Sequence, residues 1–284
     1  MNGMLNRHRL LVIPLSAALI ASATFGGIAL ASSSVSSSRP HVVSAHPHTV
    51  NTLALADMAN DPVVDAAIAK IPSVTKMESE LSGQGVSLTV DTSVVPLYEL
   101  AARAGAFTEQ DVFSAAADAA TSGSDESAVI SQVFSSNEGL KQAVAYETLA
   151  HLLYDTAVEQ GTVVSEQDAR SYAQQAYNSY VSSFEHPSQH TPHVLPPTND
   201  EFFSAFAIAQ YQFNLTVSAE MAKITGSSSS ASMASPHVAR PRRADRTSAL
   251  QQWMQGVMAA HVVTLRGVSG IDDSNIPSHL PDTV

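Results

Sequence analysis

Three histidines, His186, His190 and His193, stand four and three residues apart. On a helix that spacing turns three imidazoles to one side, and neutral ring nitrogens in such a set would suit zinc or copper. Pro187 and Pro192 interrupt the stretch, and no cysteine is available as a partner. The same residues therefore also describe a solvated loop. His41, His46 and His48 form a second group of the same kind. The balance favours no resident metal and no cofactor.

Other chemistry is thinner. The chain has no cysteine, which removes disulfides, thiolate metal sites and thiol nucleophiles. It has no Gly-x-Ser-x-Gly elbow, His-Glu-x-x-His pair, Walker loop or Gly-x-Gly-x-x-Gly turn. Glu147 and Asp155 read as helix-surface charges, and the chain reads as a protein without catalysis. Lys+Arg 14 against Asp+Glu 26 gives a formal charge of -12, which repels phosphate backbones, so no nucleic-acid partner is expected. Positive charge gathers at Arg240, Arg242, Arg243 and Arg246, offset by Asp245. That cluster suits an anionic lipid, cell-wall polymer or nucleic acid, or a solvated linker, and no aromatic residues interleave it.

Aromatic residues offer a different chemistry, the burial of apolar surface. Phe202, Phe206 and Phe213 fall on one helical stripe and read as core, whereas Phe203 and Tyr211 fall off it and read as exposed apolar contacts. Trp253 reads as the anchor of a closing helix.

Helices must position these groups. Asp61 and Pro62 suit the cap and first turn of one helix. Residues 86–90 alternate strictly and suggest a strand. A helix over 97–104 is expected to stop at Gly105, and the capping-box spacing of Thr108 and Asp111 suggests a new helix over 112–120. Further helices are expected over 125–134 and over 140–160, the latter ending at Gly161. After an extended link at 162–164, Ser165 and Asp168 open the next helix. Prolines at 187, 192, 196 and 197 make 184–197 a loop. Thr198 and Glu201 cap a helix running towards Gly226, and 246–260 forms the closing helix before an extended piece at 262–265. Residues 86–90 and 262–265 are expected to pair as a small sheet, and the stretch after Gly267 looks irregular.

Arg7 and Arg9 precede an apolar run over 10–30 that ends in Ala29-Leu30-Ala31. This order describes a secretory signal, or, at a length able to span a bilayer, a retained membrane anchor. Either places the rest of the chain outside the cytoplasm, in the cell envelope or the extracellular space, with membrane association through the N-terminal segment in the second case. The expected organisation is 1–31 signal or anchor, 32–56 flexible spacer, 57–267 helical domain with a Ser/Arg-rich linker at 226–245, and 268–284 irregular tail.

One stretch resembles a known family. LAHLLYDTAVEQGTVVSEQDARSYAQQ carries Leu152, Leu153, Ala157, Gly161, Val163, Val164, Ser165, Glu166 and Asp168 in the helix, link and cap order of the N-terminal chaperone domain of SurA and PrsA type exported foldases. TNDEFFSAFAIAQYQFNLTVSAEMAKITG is similar to the third helix of that domain, and ALQQWMQGVMAAHVVTL to its closing helix and strand. The resemblance covers about 140–265. It implies a mainly α, SurA N-terminal-like domain closed by its C-terminal helix, binding unfolded or partly folded exported polypeptides in an apolar cleft without ATP. Tyr146, Leu149, Leu153, Phe203 and Tyr211 are the expected client surface. The family commonly inserts a parvulin-type prolyl isomerase module before the closing helix. Only 20 residues, 226–245, lie there, while an independent domain needs at least about 50. No isomerase residues are therefore carried over. The rival expectation is a non-catalytic cell-envelope adaptor held by one fixed partner.

Overall fold

The computed structural model describes residues 61–185, 203–226 and 243–281. The expected signal or anchor, the 32–56 spacer, His186, His190, His193, the Thr198 and Glu201 cap, Phe202, Arg240 and Arg242 lie outside the described residues. Among the described residues are eight helices and one small sheet. The helices are α1 (Pro62–Ile68), α2 (Val74–Gly83), α3 (Leu97–Ser122), α4 (Glu126–Ser136), α5 (Glu138–Gln160), α6 (Glu166–Glu185), α7 (Ala205–Ile224) and α8 (Arg243–Met258). The strands are β1 (Ser87–Val90), β2 (Ser93–Val94) and β3 (Val263–Arg266), followed by a short 3-10 turn at Ile276–His279.

α5 is the axis of the domain. Ala143, Val144, Leu149, Leu152 and Leu153 are fully buried, because α3, α7, α8 and the sheet each take one side of this helix. A helix that is apolar around most of its circumference belongs in a core. Its C-terminus follows the local signals: Gly161 adopts the left-handed conformation (φ 67°), and its N–H bonds back into the last turn. Ser165 Oγ then accepts from Asp168 N at 3.1 Å and opens α6. The backbone of the intervening link has no strand partner, so α7 supplies side chains instead. Thr216 Oγ1 accepts from Val164 N at 3.0 Å, Gln212 Nε2 donates to Val164 O at 2.7 Å, and Thr162 Oγ1 donates to Glu220 Oε1 at 2.8 Å.

The expected pairing of 86–90 with 262–265 is present. β1 and β3 run antiparallel with Leu88 opposite Leu265 and Val90 opposite Val263. A third strand, β2, folds back on β1 with Thr89 opposite Val94. Asp91 makes that turn at φ 51°, and an Asp tolerates the left-handed region better than most residues. Its carboxylate also accepts from Val262 N at 2.8 Å and meets His261 Nδ1 at 2.6 Å, tying the hairpin to the start of β3.

Three expectations are corrected. First, 97–122 is one helix, not two. Thr108 does not cap; its hydroxyl donates back to Ala104 O at 2.8 Å inside α3. Gly105 sits mid-helix, where α3 passes over Ile71 and Met77. Second, α7 starts at Ser204, whose side chain accepts from Ala207 N at 3.1 Å, and its buried face is Ala207, Ile208, Tyr211, Thr216 and Val217. Phe206 is instead 53% exposed. Phe213 of the phenylalanine stripe does pack against the main core, so the pull of α6 on one flank and α5 on another turns only Phe206 of these two away from it. Third, the tail, irregular as expected apart from the 3-10 turn, does not stand outside the domain: Ile271, Ile276 and Leu280 are buried in the main core, and the 3-10 turn packs on α5.

Two glycines mark close approaches. A side chain on Gly139 would collide with Thr108 Oγ1 and stand 2.9 Å from Ala104 O, so α5 begins directly against α3. Gly267 combines φ 76° with backbone atoms of Gly85 and Val86 at 2.8 Å from a Cβ. Gly267→Ala is expected to cost about 2 kcal/mol or more, from left-handed strain plus the displaced strand end. Urea titration of the variant checks this, and an unchanged midpoint would contradict the close approach of β3 to the start of β1.

Candidate functional site

Two groups of side chains stand out, one buried and polar, the other half-exposed and aromatic. The polar group arises where the N-terminal half of α3 crosses the middle of α5. Glu99 and Arg103 are four residues apart on α3, and Glu147 and His151 four apart on α5, so each pair shares one helix face. Arg103 Nε donates to Glu147 Oε1 at 3.0 Å, and its guanidinium lies 4.1 Å from the centre of the Tyr146 ring. Tyr98 OH donates to Glu99 Oε1 at 2.8 Å. A nitrogen of His151 and carboxylate oxygens of Glu99 and Glu147 all lie within 4.8 Å of one another.

Burial sets the electrostatics. Burial, reinforced by the charge of Glu147, raises the Glu99 carboxyl to about 7, against smaller opposing effects of the Tyr98 hydroxyl and Arg103. For Arg103, burial is the largest single effect and works against the charge, but the charge and hydrogen bond of Glu147 together with Tyr146 and Glu99 outweigh it, and the guanidinium is held more firmly protonated. Burial lowers His151, with Glu147 and Asp155 opposing, so its imidazole is neutral at pH 7. Burial likewise raises the Tyr98 hydroxyl far above its usual range.

The aromatic group surrounds the N-terminus of α7. Phe206 approaches Tyr98 with ring centres 6.4 Å apart, and Phe203 approaches Tyr177 of α6 at 5.9 Å. Deeper in, Tyr211 meets Tyr172 edge-on at 5.6 Å, and Phe213 contacts His151 at 5.2 Å and Tyr154 at 4.9 Å. α6 packs chiefly on α7, so the two form an arm with its own small core of Ala169, Ala173, Ala207, Ile208 and Tyr211.

The expected client residues separate on this frame. Leu149 and Leu153 are fully buried in the main core, and Tyr211 is 4% exposed, so these three hold the fold together rather than offer surface. Leu149 and Leu153 lie on the inner face of an axial helix, and Tyr211 fills the space between α6 and α7. Phe203 and Tyr146 remain partly exposed. Phe206, expected in the core, is exposed. Trp253 packs against the main core, as an anchor of the closing helix would. Glu147 is not a surface charge: it is 2% exposed and ion-paired. A signal for this existed, since Glu147 and His151 interrupt an otherwise apolar run at four-residue spacing.

No family model matches the chain, and no curated protein or solved structure matches it either. Among the described residues no helix is long and apolar enough to cross a membrane.

Proposed function

We propose that the chain is an exported, ATP-independent holdase of SurA N-terminal-like type, which shelters non-native polypeptides on the α6–α7 arm and the adjoining start of α3. The observation that carries this reading is the half-exposed aromatic group of Tyr98, Tyr177, Phe203 and Phe206, drawn from three helices and the α7 entry turn. Burying client side chains against such rings yields roughly 25 cal/mol per Å² of apolar area and asks for no fixed sequence. Rings joined by few rotatable bonds lose little entropy when a client docks. Two further features support the family reading: the Gly161 stop followed by the Ser165 cap, and a β3 that returns the chain's C-terminal part to β1.

The test is light scattering from a chemically unfolded client diluted into buffer with near-stoichiometric protein. Suppressed aggregation is expected, and Phe206→Ser should weaken it several-fold while leaving the thermal melt unchanged, because this ring is largely exposed. Failure with several unrelated clients would reject the holdase and favour an adaptor with one fixed partner.

A further inference from the structure

We propose that Glu99, Glu147 and His151 form a divalent transition-metal site, with zinc the ion their donors suit best. The site does not rest on the client-binding reading, although Tyr98 belongs to both groups. Two carboxylate oxygens and one imidazole nitrogen, mutually within 4.8 Å, need only small side-chain rotations to reach the roughly 2.0–2.2 Å zinc–ligand distances. Three protein ligands from two helices would leave a further position for water or another donor.

A second observation points the same way. His151 Nε2 is enclosed and has no hydrogen-bond partner among the described residues. A buried polar nitrogen without a partner is costly, and coordination is one way of satisfying it. The surrounding bonds have the pattern that orients ligands at metal centres. Tyr98 OH occupies Oε1 of Glu99 and Arg103 occupies Oε1 of Glu147, which fixes each carboxylate while leaving its second oxygen for an ion. Arg103 also sets a limit: its charge opposes the cation, so the two carboxylates leave only a modest net negative field. Micromolar affinity fits that balance better than the tighter binding of thiolate sites.

The experiment is calorimetric titration of Zn²⁺ into the full chain in which His41, His46, His48, His186, His190 and His193 are all replaced by glutamine. This removes the two loop histidine groups as competing sites. Binding of about one ion per chain is expected to persist. Adding Glu99→Gln or His151→Gln should weaken it at least about tenfold, and Tyr98→Phe, which acts only by positioning Glu99, about tenfold. Melts in EDTA establish that each variant is folded, and Glu99→Gln preserves the acceptor for Tyr98. Loss of all binding with the loop histidines, or affinity unchanged by both Glu99→Gln and His151→Gln, would overturn the assignment and leave the cluster as a structural ion pair sharing a proton.

Discussion

Glu147→Ala should destabilise the fold by about 3–5 kcal/mol, the cost of leaving a buried guanidinium without its counter-charge. Arg103 is only 18% exposed and stacks on Tyr146, so it cannot swing into water without uncovering the ring. A double variant, Arg103→Met with Glu147→Leu, should recover most of the loss, because a well-packed apolar pair replaces the ion pair without stranding either charge. Urea unfolding of the two single variants and the double variant, with comparable slopes, checks the prediction. A single-variant cost below about 1 kcal/mol would place the pair in solvent and contradict the geometry.

The second large effect concerns pH. Glu99 has a folded value near 7 against an ordinary 4.5, so between those values the native state binds more protons than the unfolded chain. Stability from this group is therefore fully present at pH 4.5 and below and is lost as pH rises through about 7. The difference corresponds to about 3 kcal/mol at most. Glu99→Gln should leave stability near pH 5 almost unchanged and raise it at pH 8, since a neutral amide carries no charge to bury. His151, lowered by burial, loses stability as pH falls below its ordinary 6.5 and so works in the opposite direction over the same window. Asp91 and Glu138 have lowered values and act only near and below their ordinary 3.8 and 4.5. All three remain in the variant, so subtracting the two pH profiles, both taken in EDTA, isolates Glu99. A Glu99→Gln profile parallel to that of the wild type from pH 5 to 8 would show that the carboxyl is not held in this environment.

Local chemistry is legible in the sequence where one residue decides one conformation. Gly161 and Ser165 place the end of α5 and the start of α6, and strict alternation bounded by Gly85 and Asp91 identifies β1 as well as a strand far away that could pair with it. The illegible parts depend on packing. Thr108 with Asp111 has cap spacing, yet α3 runs through because its apolar face is covered without a break by α2, α4 and α5. The tail has no periodicity, and its buried Ile271, Ile276 and Leu280 are positioned by an Asp272 turn that no hydrophobic pattern announces. The face of α7 that sinks keeps Phe213 of the phenylalanine stripe but leaves Phe206 out, because aromatic count is a poorer guide than which neighbours are present. For the polar cluster, the members lie 44 residues apart along the chain in the case of Arg103 and Glu147, and only the crossing of α3 over α5 brings them together.

The client-binding reading is tested most directly by placing a photo-activatable cross-linking residue at position 206 and, as a control, at Lys76 on the exposed face of α2. Each protein is then irradiated with an unfolded client. The account predicts cross-links to client from position 206 and few or none from position 76. Equal labelling from both positions, or none from 206 with client present in excess, would contradict a client surface at the α6–α7 arm.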